Sequence, residues 1–157
     1  MATDLMKDWI VELYNPDRVQ TTGYLGRENQ DGQRSNCCLG VLCEVKGVEP
    51  DVRKDEYDNT EFSTLYYDGY SGIPGSSVLE VLFADRPEGD YMESVALYEE
   101  EVDDWNGNPI LRTITADVAN DEKHLTFVEI AEKLSERYLS REEQFEVRKR
   151  VEDKGWA

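Results

Sequence analysis

The stretch Ser35-Asn36-Cys37-Cys38-Leu39-Gly40-Val41-Leu42-Cys43 decides how the chain is read. It is the longest nearly uncharged apolar run in a sequence of 35 acidic and 17 basic residues, and it holds all three cysteines. A run this apolar belongs inside a domain. Periodicity alone leaves a buried helix and a buried strand open over residues 37–45. A helix is the expectation: Cys38, Leu42 and Val45 then share one face, Cys37 and Val41 lie beside them, and Gly40 lets another backbone approach closely.

Working outward, residues 19–27 are rich in β-branched and aromatic side chains and read as a strand. Asn29-Gln30-Asp31-Gly32 supplies turn chemistry before the chain returns into the cysteine run. Upstream, Leu5, Trp9, Ile10 and Leu13 recur at helical spacing over residues 4–14, and Asn15-Pro16 ends that helix. Downstream, residues 46–63 form a charged excursion. Leu65 to Gly72 reads as a short strand entering a loop, and Ile73-Pro74 opens a helix through Phe83. Asn106-Gly107 is a turn signal that would join Val95–Val102 to Ile110–Ile114 as a hairpin. Thr126 with Glu129 and Ser140 with Glu143 are capping boxes for two closing helices, the second running to Asp153 or Lys154. The expected fold is α+β: a single domain over 1–157 with a small antiparallel sheet and four or five helices. An acidic insert at about 84–108 and a C-terminal helical extension at about 140–155 complete it.

At 157 residues the chain can bury a core without disulfides or metals. Its formal charge of -18 argues against direct nucleic-acid binding, which needs clustered Lys and Arg. The N-terminus lacks a basic region followed by an apolar segment, and no apolar run approaches the roughly 18 residues of a membrane span. Three cysteines, two of them adjacent, suit reduced thiols in a cytoplasm.

The Cys-Cys-x4-Cys spacing lacks the second ligand pair of a zinc site, and the single histidine, His124, is remote in sequence. No metal, cofactor or catalytic set is expected. A thiol-dependent enzyme using Cys37 or Cys38 is one alternative, since a helix N-terminus at Cys37 would lower its pKa. Three thiols packed as small apolar groups is the simpler reading. Tyr66, Tyr67 and Tyr70, with Asn36, Asn120 and Asp121, are candidates for a small-molecule pocket; equally, the tyrosines suit packing on the body and Asn120-Asp121 suits a turn. Glu99, Glu100, Glu101, Asp103 and Asp104 are candidates for an acidic interaction surface.

Gln20-Thr21-Thr22-Gly23-Tyr24-Leu25 followed by Cys37-Cys38-Leu39-Gly40-Val41-Leu42-Cys43 resembles a group of small phage and prophage proteins, in which a Gly-x-Leu hairpin leads into this cysteine segment. Ile73-Pro74 with Val78 is similar to the group's Leu-Pro-x-x-Val helix start. Asn120-Asp121 followed by Phe127, Glu129, Ile130 and Ala131 is similar to its closing pattern. The acidic insert and the final helix are additions to that pattern. The resemblance implies a phage accessory protein in the bacterial host cytoplasm. The function expected is non-catalytic: binding a host protein or a small nucleotide-like signal to counter host defence, with self-association permitted. Acidic mimicry of nucleic acid against a basic host protein is the main alternative.

Overall fold

The computed structural model describes residues 2–54, 62–79, 82 and 95–156. Parts of the charged excursion, most of the second half of the helix expected through Phe83, and residues 84–94 of the acidic insert lie outside the described residues.

The cysteine run is a helix, α2 (Cys38–Lys46). Cys37 caps it, its Sγ accepting from the Gly40 N–H, and Gly47 ends it in the left-handed region at φ 90°. Cys38, Leu39, Val41, Leu42 and Cys43 are all fully buried. A helix apolar all round must be covered all round. Helix α1 (Asp4–Glu12) covers one side, with the buried Trp9 indole donating from Nε1 to the Cys38 carbonyl at 2.8 Å.

On the other side lies a five-stranded sheet. Its strands are β1 (Val19–Gln20), β2 (Gly26–Asn29), β3 (Arg34–Asn36), β4 (Pro50–Arg53) and β5 (Phe62–Tyr67), in the order β1-β3-β2-β5-β4. All neighbours are antiparallel except β1 and β3, which run parallel, so the sheet is mixed rather than antiparallel throughout. The strand expected over 19–27 is broken in two between Thr21 and Leu25, where the chain crosses from the edge β1 to the interior β2. The Asn29–Gly32 turn forms as expected: Asn29 Oδ1 accepts from the Asp31 and Gln33 N–H groups at 3.0 and 2.8 Å.

Gly40 is the contact point between α2 and the sheet. A Cβ on it would lie 1.7 Å from the Leu25 carbonyl oxygen, so backbone meets backbone there. That carbonyl accepts from the Cys37 N–H and from Asn36 Nδ2.

After the short turn α3 (Ser76–Leu79), β6 (Ala96–Asp103) and β7 (Pro109–Thr115) form a separate two-stranded hairpin. Three helices follow: α4 (Ala116–Asp121), α5 (Phe127–Tyr138) and α6 (Arg141–Asp153). Both expected capping boxes are present, at Thr126/Glu129 and Ser140/Glu143. The fold is α+β. One continuous core runs from Met6 on α1 to Val151 on α6, so the final helix is built into the body through Val147 and Val151.

Candidate functional site

The residues singled out in the sequence separate into three places. The first is interior. Asn36, at 4% exposure, donates from Nδ2 to the Leu25 carbonyl and approaches Glu44 Oε2 and the Tyr67 hydroxyl at 3.1 and 2.9 Å. Tyr67, 1% exposed, donates its hydroxyl proton to Glu44 Oε2 at 2.5 Å. Arg18 closes the network, pairing with Glu12 at 2.8 Å and Glu44 at 3.0 Å. Burial raises the Glu44 carboxyl, but hydrogen bonds from Tyr67, Arg18 and Asn36, with the Arg18 charge, outweigh it and hold it below the usual range. Burial, then the Glu44 carboxylate, raises Tyr67.

Asn120 is fully buried, and every polar position on its amide is filled. Its Oδ1 accepts from Gln20 Nε2 at 2.8 Å and the Cys38 N–H at 3.2 Å; its Nδ2 donates to the Thr21 carbonyl at 2.9 Å and to Asp121 Oδ1 at 2.8 Å. These geometries correct the expectation that Asn36, Tyr67 and Asn120 wall a ligand pocket. Their amides and hydroxyl join β1, β3, β5, α2 and α4 internally, because buried polar groups require partners and the chain itself supplies them. A concavity of about 400 Å³ lies elsewhere, beside Tyr14 between α5 and α6.

Tyr66 and Tyr70 diverge from Tyr67. Tyr66 points from the opposite face of β5, its ring centroid 4.4 Å from the Arg53 guanidinium carbon. Tyr70 is 51% exposed and folds over Gly75, where a Cβ would lie 2.7 Å from its ring.

The three thiols are buried. Cys37 does stand at a helix N-terminus, as the nucleophile reading requires. Burial nevertheless dominates the Gly40 and Leu39 N–H groups and raises its thiol to about 12. Burial likewise raises Cys43 to about 12 and lifts Cys38, whose Sγ donates to the Ala116 carbonyl at 3.4 Å. In the unfolded chain these thiols ionise near 8.5. The folded chain therefore holds more protons between those values, and its stability is full below about pH 8.5 and falls as pH rises toward 12. The expected slope is about 1.4 kcal/mol per pH unit for each thiol. Urea midpoints between about pH 8 and pH 10 measure it, and thiol reagents should label the native protein only at its opening rate. Pre-transition labelling as fast as in urea, or a flat stability profile, would contradict this account. Among the described residues, no cluster of three or more His, Cys, Asp or Glu side chains is placed to hold a metal ion.

The third place is the β6–β7 hairpin, which the Asn106-Gly107 turn closes as expected. Asp104 Oδ1 accepts from the Asn106 and Asn108 N–H groups at 2.8 Å, and Gly107 takes φ 79°. The base of the hairpin is fastened to the body: the Tyr138 hydroxyl donates to the Ala96 carbonyl at 2.6 Å, and Leu97 and Ile114 are buried. Of the five acidic residues expected to form a surface, Glu99 pairs with Arg137 at 3.0 Å and Glu100 with Lys123 at 2.8 Å. Asp104 is engaged in the turn. Glu101 and Asp103 are exposed and make no ion pair among the described residues.

Register places Glu101 opposite Leu111 and Asp103 opposite Pro109, so these four share one face. Leu111 is 73% exposed, and Trp105, at the tip, is 96% exposed. The sequence reading found the acids and missed these apolar neighbours. A tryptophan within a turn signal, followed by Ile110-Leu111 in a strand of a two-stranded ribbon, was the available clue.

The chain matches no protein-family model, no curated protein sequence and no solved structure. No described helix is long and apolar enough to cross a membrane.

Proposed function

We propose that this is a non-catalytic phage accessory protein that binds a host protein through the β6–β7 hairpin. Trp105 and Leu111 enter an apolar pocket on that partner, and Glu101 and Asp103 meet Lys or Arg side chains at its rim. The observation that carries this reading is the near-complete exposure of Trp105 on a braced hairpin whose neighbouring face combines Leu111 with the exposed carboxylates of Glu101 and Asp103. Fully desolvated aromatic anchors dominate binding energy, while rim charges act on association rate and specificity. Outright mimicry of nucleic acid has less support here, since three of the five named acids are engaged within the chain. Burial of all three thiols gives no support to the thiol-enzyme alternative. The resemblance to phage proteins is what supports a bacterial host cytoplasm as the setting and counter-defence as the purpose.

A photo-reactive residue in place of Leu111 should crosslink a discrete host protein in lysate. With that protein purified, Trp105→Ala should raise Kd by about thirtyfold or more at unchanged Tm. Glu101→Gln with Asp103→Asn should slow association at low salt alone. An unaltered Kd for Trp105→Ala removes the hairpin from the interface.

A further inference from the structure

The two strands of the β6–β7 ribbon differ in charge. β6 carries Glu99, Glu100, Glu101 and Asp103, which blunt its free edge, whereas from Pro109 to Thr115 the one charge on β7 is Arg112. Pro109 to Thr113 are all exposed, Ile110 at 47% and Leu111 at 73%. The turn fixes which backbone groups of β7 face outward. The Asp104 N–H donates to the Asn108 carbonyl at 2.7 Å. Hydrogen-bonded pairs alternate along an antiparallel ladder, so Val102 bonds Ile110 and Glu100 bonds Arg112. Leu111 and Thr113 therefore turn their N–H and C=O groups away from β6, with the Pro109 carbonyl beside them. None of these outward groups has a partner among the described residues.

We infer that the chain forms a reversible homodimer in which β7 pairs antiparallel with β7 of a second copy, about a two-fold axis at Leu111. In that register the two Leu111 residues exchange both backbone bonds, and each Thr113 N–H donates to the Pro109 carbonyl opposite it. Proline fits this position because it is required only to accept. Ile110 lies opposite Arg112 of the second copy, so the guanidinium meets an aliphatic side chain. Centring the pair on Arg112 would instead set two like charges face to face, which disfavours that register. The product is a four-stranded sheet, where a two-stranded ribbon alone is marginal. Charge and area limit its strength. Two copies at -18 each repel, and a contact along single edge strands falls below the roughly 1,200 Å² of a standard interface. A Kd on the order of 100 µM is expected. The repulsion is ionic and the backbone pairing is not, so added salt should tighten the dimer.

Sedimentation equilibrium of the full chain should show monomer and dimer, with Kd about threefold lower, or better, in about 0.5 M than in about 0.05 M salt. Thr113→Pro removes an outward N–H without touching the β6 ladder and should weaken the dimer about tenfold or more at unchanged Tm. Ile110→Lys sets an ammonium opposite Arg112 and should do the same. Ile110→Glu should dimerise at least as well as the parent, despite its added negative charge. Leu111→Cys should form an intermolecular disulfide under copper-catalysed air oxidation about tenfold faster than Phe145→Cys on the exposed side of α6. Hydrogen-bonded partners lie about 5.5 Å apart at Cα, within disulfide reach, and the three native thiols are buried. A single monomeric species up to about 1 mM in the higher salt overturns the inference and leaves the edge to a strand of another protein. So does a dimer that Thr113→Pro and Ile110→Lys both leave intact, or equal oxidation of the two cysteine variants. Each failure leaves the host-binding reading untouched, because that rests on Trp105 and the side chains of one hairpin face, not on the edge of the strand.

Discussion

Gly40→Ala should destabilise the protein by about 3 kcal/mol or more, at or above the top of the usual range for overpacking. Helix propensity alone argues the reverse, favouring alanine over glycine within a helix by roughly 1 kcal/mol. Position decides the sign. The new Cβ would lie 1.7 Å from the Leu25 carbonyl oxygen, and that atom belongs to the backbone, so no rotamer change relieves the clash. Either α2 or the start of β2 must move. Movement of either disturbs the bonds that the Leu25 carbonyl accepts from the Cys37 N–H and Asn36 Nδ2. Urea unfolding of the two proteins tests this. An alanine variant as stable as the parent would mean that helix and sheet do not meet at Gly40.

Asn120→Asp should be nearly as damaging, on the order of 3 kcal/mol at neutral pH. The exchange preserves volume but replaces the amide that donates to the Thr21 carbonyl and to Asp121 Oδ1 with an oxygen that repels both. A carboxylate at a site with no exposed surface, beside a second carboxylate, has its pKa raised. Linkage then gives a specific signature. The variant's deficit is smallest below the unfolded carboxyl pKa of about 3.9 and grows as pH rises through the elevated folded value. The variant-to-parent difference in unfolding free energy, followed from about pH 4 to pH 7, should therefore widen. A constant difference would show that Asn120 contributes shape rather than donors.

These two residues also show where sequence reasoning reached and where it stopped. Gly40 inside an apolar helix pattern was legible as a point of close approach, because glycine in such a place is costly unless something occupies the missing side chain's volume. The surface it meets, the Leu25 carbonyl, was not legible. Asn120-Asp121 was legible as polar chemistry before a capped helix. That the amide faces β1 and the first turn of α2, about a hundred and about eighty residues away in the chain, depends on long-range packing alone. The tyrosines mislead for a related reason. Tyr66 and Tyr67 are neighbours, but a strand sends successive side chains to opposite faces, so one enters a buried ion-pair network and the other an open arginine stack.

Local order was written in local chemistry. The capping boxes at Thr126 and Ser140 and the Asn29–Gly32 and Asn106-Gly107 turns each arise from interactions within a few residues, and the chain alone suffices to read them. Tertiary structure decided the state of the groups these elements carry. It buried the Cys37 thiol deeply enough to override its helix N-terminus, and it matched Glu99 and Glu100 with cations from α5 and the end of α4. It also left Glu101, Asp103, Leu111 and Trp105 together in solvent. Desolvation and charge pairing depend on which distant segments arrive within a few ångströms, and no spacing along the chain encodes that. The run from Asn36 to Cys43 thus proves to be the buried centre of the fold, covered by α1 on one side and the five-stranded sheet on the other.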